Sequence, residues 1–181
     1  MKIRLHPLFF IFVLVITLIG GGFELLATLF AVILHELAHA RVAQSRNYII
    51  KDISLMPYGA VLNVSNISNA DSFAVLSAGV VANIIFVITT IALWWLVPAV
   101  YAYTYNFVKS NLIIALINLV PCDPLDGGKL MMRYIKNPKT AKTISIISGT
   151  LTFVTLTSLF IYSIFIKINL SYLVFALFLL G

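Results

Sequence analysis

FELLATLFAVILHELAHAR, from Phe23 to Arg41, is an apolar rod that closes on His35, Glu36 and His39 and then meets a cation. A helix crossing a bilayer needs about 20 largely apolar residues, and Phe23–Ala40 reads as such a span. Its H-E-x-x-H spacing sets His35 and His39 four positions apart. At about 3.6 residues per turn they share one helix face. Two imidazoles so arranged can share a tetrahedral Zn²⁺. Glu36 stands beside them without being required as a ligand. Its carboxylate can take a proton from an activated water and return it to a leaving amine. Ionisable groups at membrane depth are costly, and a bound cation is the partner that compensates them.

The rest of the chain fits the same solvent. Of 181 residues, 61% are apolar and 10% charged, against about 45–50% and 25% in a soluble domain. That pattern excludes a soluble globular fold and disorder alike. Five further segments read as spans: Pro7–Gly22, Phe73–Ala99, Tyr105–Val120, Ile144–Ile166 and Ile168–Leu180. The expected fold class is therefore an all-α polytopic membrane protein with about six transmembrane helices, in a single domain over residues 1–181. Gly20-Gly21-Gly22 reads as a tight turn between the first two helices. Lys2 and Arg4 before an apolar run also suit a signal peptide, but a second span follows with no soluble domain to export. The single cysteine, Cys122, excludes an intramolecular disulfide and a cysteine-rich metal site.

Charge sets the orientation. With the N-terminus in the cytoplasm, six spans place all of the 12 lysines and arginines inside except Lys109 and Lys167. Positive charge collects on the cytoplasmic side of membrane proteins, so the net charge of +6 reports topology and not nucleic-acid binding. Trp94, Trp95, Tyr101, Tyr103 and Tyr105 gather around the opposite loop, where amphipathic rings suit the interface. Residues 52–64, DISLMPYGAVLNV, are too short and broken to span. Their partial alternation, with Pro57 and Gly59, suggests a small re-entrant β-hairpin. It serves either as an open strand edge for an extended substrate or as an amphipathic loop on the inner leaflet.

The fourth span ends in Asn118-Leu119-Val120-Pro121-Cys122-Asp123-Pro124-Leu125-Asp126-Gly127-Gly128. Pro121 and Pro124 stop the helix, and the glycines let backbone pass close to another element. Non-helical backbone near membrane depth is tolerated where it is buried or lines a wet cavity, so this is a site-forming turn. A catalytic zinc with two histidines needs a third protein ligand and an open position. Besides His6 no histidine remains, and Asp126 is the best acid, with Asp123 its rival. Spans two and four both descend to the cytoplasmic side, which brings His35, His39 and Asp126 to one membrane face. The bland alternative for Asp126 is a loop carboxylate paired with Lys129 or Arg133.

His35-Glu36-x-x-His39 and Asn118-x-x-Pro121-x-x-x-Leu125-Asp126-Gly127, in this order, resemble the two motifs of the site-2 protease family of intramembrane zinc metalloproteases. The match is closer to the sporulation branch, which processes a membrane-associated sigma-factor precursor. Leu5-His6-Pro7, His35 to Ala40 and Asn118 to Gly128 carry that likeness. The resemblance implies one Zn²⁺ held by His35, His39 and Asp126, with Glu36 as catalytic acid and base and Asn118 near the substrate. Ala78-Gly79-Val80-Val81-Ala82-Asn83 looks like the family's AGPxxN stretch, with Val80 in place of proline. Residues 1–181 carry neither the CBS domain frequent in the sporulation branch nor a PDZ insertion.

The expected function is zinc-dependent hydrolysis of a peptide bond in or beside a membrane segment of a protein substrate, a sigma-factor precursor or another regulator. The implied setting is a bacterial cytoplasmic membrane, with the active site opening to the cytoplasm. Partners are the substrate, the bilayer and regulatory membrane proteins or further copies of the chain; nucleic acid is not among them. Asn118 and Asn83 can donate hydrogen bonds to an oxyanion or bond helix to helix. A divalent-metal transporter would instead need a polar path through the bilayer, and the outer halves of the spans hold almost no ionisable group besides Glu24. A catalytically inactive scaffold is the third class, and the complete set of His35, Glu36, His39 and Asp126 speaks against it.

Overall fold

The computed structural model describes residues 2–5, 22–56, 59–64 and 67–166, with side chains over 22–50 and 67–163. The chain divides into two compact units, Met1–Ile117 and Asn118–Gly181. The expected spans Pro7–Gly22 (Gly22 excepted) and Ile168–Leu180 lie outside the described residues.

The first unit holds β1 (Lys2–Leu5), α1 (Gly22–Ser45), β2 (Ile50–Met56), β3 (Gly59–Val64) and α2 (Asn69–Leu96), then a single 3₁₀ turn over Pro98–Val100 and α3 (Tyr101–Asn118), whose last residue opens the second unit. Helix α1 runs past the expected Ala40, because its true stop is at Asn47. Asn47 takes a left-handed φ of 63°, the Asn47 amide bonds to the Gln44 carbonyl and the Tyr48 amide to the Ala43 carbonyl. That paired closure ends helices at a left-handed residue. Helix α2 starts at Ser68, whose hydroxyl accepts from the Asp71 amide. Asp71 then gathers Arg46, the Tyr48 hydroxyl and the Ser68 hydroxyl, tying the chain on both sides of the strands to one helix start. The strands form one sheet, ordered β1-β2-β3, with β1 parallel to β2 and β2 antiparallel to β3. The pairing of Lys2–Leu5 with Asp52–Leu55 had no signal in the sequence, since a parallel partner can lie anywhere in the chain.

Burial in this unit is inverted relative to a soluble protein. Phe23, Leu26, Phe30, Ile33 and Leu37 of α1 point outwards, while His35, His39, Ser72, Asn83, Ser110 and Asn111 are buried. Lipid is as apolar as leucine, so helices associate there through small and polar residues. Helices α1 and α2 pack through Ala31, Ala40 and Ala43 on one and Ser72, Val75 and Gly79 on the other. Helix α3 is fixed to α1 by a Lys109–Glu24 ion pair at 2.8 Å and a Thr28–Ser110 hydroxyl contact at 2.8 Å. At the far end of α2 the Trp94 indole donates to Thr104 at 2.7 Å, and Tyr101 meets Trp94 edge to face and Tyr105 at a tilt.

The second unit holds α4 (Asp126–Tyr134) and α5 (Pro138–Ile166). Helix α4 replaces part of what reads in sequence as an extended turn. Gly127 and Gly128 weaken its helical signal, and tertiary contacts hold it regardless. Asn137 caps α5 by accepting from the Lys139 and Thr140 amides, with Pro138 in the first position, where a missing N–H is harmless. Along α5 the hydroxyls of Thr143, Thr150, Thr155 and Ser158 each return to the carbonyl four residues back, so none needs water. Three described helices are long and apolar enough to cross a membrane: Gly22–Ser45, Asn69–Leu96 and Pro138–Ser163. Tyr101–Asn118, with Lys109 at its middle, is shorter at 18 residues.

The Glu24–Lys109 pair generates a stability prediction. Lys109→Met takes the cation from a half-buried carboxylate, and removing one partner of such a pair is worse than removing both. The thermal midpoint in detergent falls for Lys109→Met and partly recovers in Glu24→Gln/Lys109→Met.

Candidate metal centre

His35 and His39 lie on the α1 face that meets α2, and both are buried. Their Nε2 atoms stand 3.1 Å apart, with the rings edge to face at 81°. His39 Nδ1 is 2.6 Å from the Val75 carbonyl oxygen. A carbonyl only accepts, so that Nδ1 carries the proton and His39 Nε2 presents a lone pair. Metal-ligating histidines are commonly oriented in this way by a backbone carbonyl. Two nitrogens on one tetrahedral zinc, at Zn–N of about 2.0–2.1 Å, stand roughly 3.3 Å apart. The donor pair therefore fits the ion by spacing and chemistry. Glu36, next on the helix, is half-buried.

Helix α2 closes one side of the pair with bare backbone. A Cβ on Gly79 would lie 2.4 Å from His39 Nε2 and 2.6 Å from His35 Nε2. The imidazoles cannot move aside cheaply, because His39 is bonded to α2 itself and both rings are packed. The sequence marks Gly79 only within the Ala78–Asn83 stretch. The Val75 carbonyl carries no sequence signal at all, since every residue type offers one.

In the second unit Asp126 is the first residue of α4, 7% exposed, where the helix N-terminus favours a carboxylate. The Lys129 ammonium lies 3.6 Å from it, half exposed, a surface-type contact of little strength. The segment before Asp126 is held from two directions. The Leu125 amide bonds to the Cys122 carbonyl and the Cys122 amide to the Val120 carbonyl, while Leu125 is 1% exposed. From α5 the Ser145 hydroxyl accepts the Asp123 amide, and the Ser148 hydroxyl donates to the Pro121 carbonyl. A Cβ on Gly127 would fall 2.7 Å from the Leu119 and Val120 oxygens, and one on Gly128 2.1 Å from the Cys122 carbonyl carbon. Both glycines are thus required by close backbone approach. Cys122 is buried beneath Gly149. Burial pushes its thiol up, the Ser145 hydroxyl opposes this and the nearby Asp123 adds to it, which favours the thiol over the nucleophilic thiolate. Ser145, Ser148 and Gly149 share one helical face, the signal that could have marked them in advance.

The remaining candidates are placed as follows. Asp123 is exposed. Asn118 is the last residue of α3, half-buried. Asn83 is fully buried, and its amide nitrogen lies 3.5 Å from the Asn111 carbonyl oxygen.

No family model matches the chain. It is 36% identical over 137 residues, 72% of its length and 46% of the relative's, to stage IV sporulation protein FB of Bacillus subtilis. It is 30% identical over 159 residues, 78% of its length and 47% of the relative's, to the zinc metalloprotease MJ0392 of Methanocaldococcus jannaschii. The chain spans about half the length of these curated relatives. Its fold matches the solved site-2 protease from Methanocaldococcus jannaschii with a TM-score of 0.69, at 21% identity, covering 98% of this chain and 86% of that one. By fold, then, this is a site-2-protease-like integral membrane protein. By sequence it is a relative of curated zinc metalloproteases and of a sporulation protein, in agreement with its motifs.

Three glycine substitutions test the geometry. Gly79→Ala raises intrinsic helix propensity yet displaces both imidazoles, so the purified protein loses most of its zinc by elemental analysis while staying helical by circular dichroism. Gly128→Ala drives a Cβ into the Cys122 backbone and lowers the thermal midpoint markedly more than Gly149→Ala, which meets only the Cys122 side chain.

Proposed function

We propose that this chain is an intramembrane zinc metalloendopeptidase that cleaves a membrane-associated protein substrate. The observation that carries the reading is the buried His35–His39 pair, with Nε2 atoms 3.1 Å apart and His39 oriented by the Val75 carbonyl. His35 and His39 supply two ligands to one Zn²⁺ and Asp126 the third. Asp126 is supported by its burial, its place at a helix start and the two glycines that bring its backbone in. When bound, the ion would supply Lewis acidity toward a scissile carbonyl and an attacking water. Glu36 Oε takes the proton from that water and delivers it to the departing amide nitrogen. Asn118 and Asn83 stand as substrate-binding candidates. Names of the relatives support zinc and proteolysis, and that of the sporulation protein FB supports a role in sporulation; a sigma-factor precursor or another regulator as the substrate follows from the motif resemblance.

In this reading residues 1–181 form one protease domain of about six spans in a bacterial cytoplasmic membrane. Its N-terminus and catalytic opening face the cytoplasm, as the positive charges indicate. The β2–β3 pair is a re-entrant hairpin whose β3 edge, without a strand partner among the described residues, receives the unwound substrate by strand addition. Regulatory membrane proteins or further copies of the chain control access. A transporter reading has less support, because Glu24 and Lys109 pair with each other instead of lining a charged path among the described residues.

Three variants assayed on a co-expressed substrate test the proposal. Glu36→Gln keeps its zinc and loses cleavage at least a hundredfold, within the usual worth of a general acid and base of about 10²–10⁴. Asp126→Asn loses zinc to a chelator that the parent withstands. Cleavage by Glu36→Gln at the parental rate would remove Glu36 from the mechanism. A substrate helix must unwind before attack, since its carbonyls are engaged in backbone bonds. Replacing a glycine near the cut with leucine therefore slows hydrolysis.

A further inference from the structure

Asn83 on α2 and Asn111 on α3 are fully buried, and they are neighbours. The Asn83 amide nitrogen reaches the Asn111 backbone oxygen at 3.5 Å, and the Asn111 amide nitrogen donates to the Phe107 carbonyl at 2.8 Å. Both NH₂ groups are thus directed at helix carbonyls. Both Oδ1 atoms are left without a hydrogen-bond partner among the described residues. Turning either amide over does not help, for it would set oxygen against carbonyl oxygen and leave the NH₂ stranded instead. Two acceptors with no donor in an apolar interior are strongly disfavoured.

The geometry points to a bound water held by Asn83 and Asn111 between α2 and α3. Water is the small ligand that carries two donors for two acceptors and is found where buried polar groups lack protein partners. A cation such as Ca²⁺ would need about six to eight oxygens, and this pair offers two. Asn83 lies one turn beyond Gly79 on the buried stripe Val75, Gly79, Asn83 of α2. The Asn83 backbone therefore stands about 6 Å along the helix from the Gly79 backbone that approaches both imidazoles. Hydrolysis consumes a water in every turnover, and this one would be a resident supply for it. That use rests on the proteolytic reading; the water site itself does not.

Three readouts separate the parts. An experimental structure of Glu36→Gln protein, at a resolution that shows solvent, has density within hydrogen-bond distance of both Oδ1 atoms; an empty gap, or amides turned to protein donors, overturns the site. In thermal unfolding, Asn83→Leu and Asn111→Leu each lower the midpoint, and the double variant is less destabilised than their sum. Strictly additive losses overturn a shared ligand. Finally, Asn111→Leu keeps its zinc but turns substrate over severalfold more slowly; an unchanged rate after loss of the water overturns the supply role alone. If the parent cleaves nothing, the proteolytic reading fails while the first two readouts still judge the site.

Discussion

Lipid offers no hydrogen bonds, so each polar side chain drawn into this protein must find its partner within it. Several of the described polar groups are paired accordingly. Glu24 meets Lys109, Thr28 meets Ser110 and His39 meets the Val75 carbonyl. The many hydroxyls of α5 return to their own helix. Large apolar residues are expelled to the outside, and alanine, serine and glycine take the interfaces. A soluble protein is held by burying its leucines. This one is held by close approach of helices through small residues, with polar groups as the specific contacts.

That constraint shapes the metal centre. Two imidazoles buried in an apolar bundle gain from a shared cation, and the ring of His39 is oriented by a backbone carbonyl. Helix α2 serves twice, through the Val75 carbonyl that sets the tautomer of His39 and through the bare α-carbon of Gly79 that lets the helix come near. The segment leading to Asp126 follows the same logic. Gly127 and Gly128 permit backbone-to-backbone contact, and Ser145 and Ser148 of α5 satisfy the groups that a broken helix exposes. Irregular backbone can survive near membrane depth only when its polar groups are met in this way.

The likeness to a solved site-2 protease rests on the whole course of the chain, at an identity too low to carry function. The likeness to curated metalloproteases rests on part of their length. The two comparisons agree with the local chemistry because each responds to a different constraint. The bilayer dictates helix length and polarity, and the metal dictates donor type and spacing.

Sequence alone determined the solvent, the four described helices that read as spans to within a few residues at most ends, and the residue types and spacing of His35, Glu36, His39 and Asp126. Those follow from composition and a period of about 3.6, which are local and survive in one dimension. Tertiary structure alone decided that Gly79 and Val75 frame the histidines, that Lys2–Leu5 joins a sheet with β2, that a short helix begins at Asp126, and that Asn83 and Asn111 are buried neighbours. Each of those depends on a backbone atom, an absent side chain or a partner dozens of residues away. A carbonyl or a bare α-carbon acquires a role only when another element packs against it.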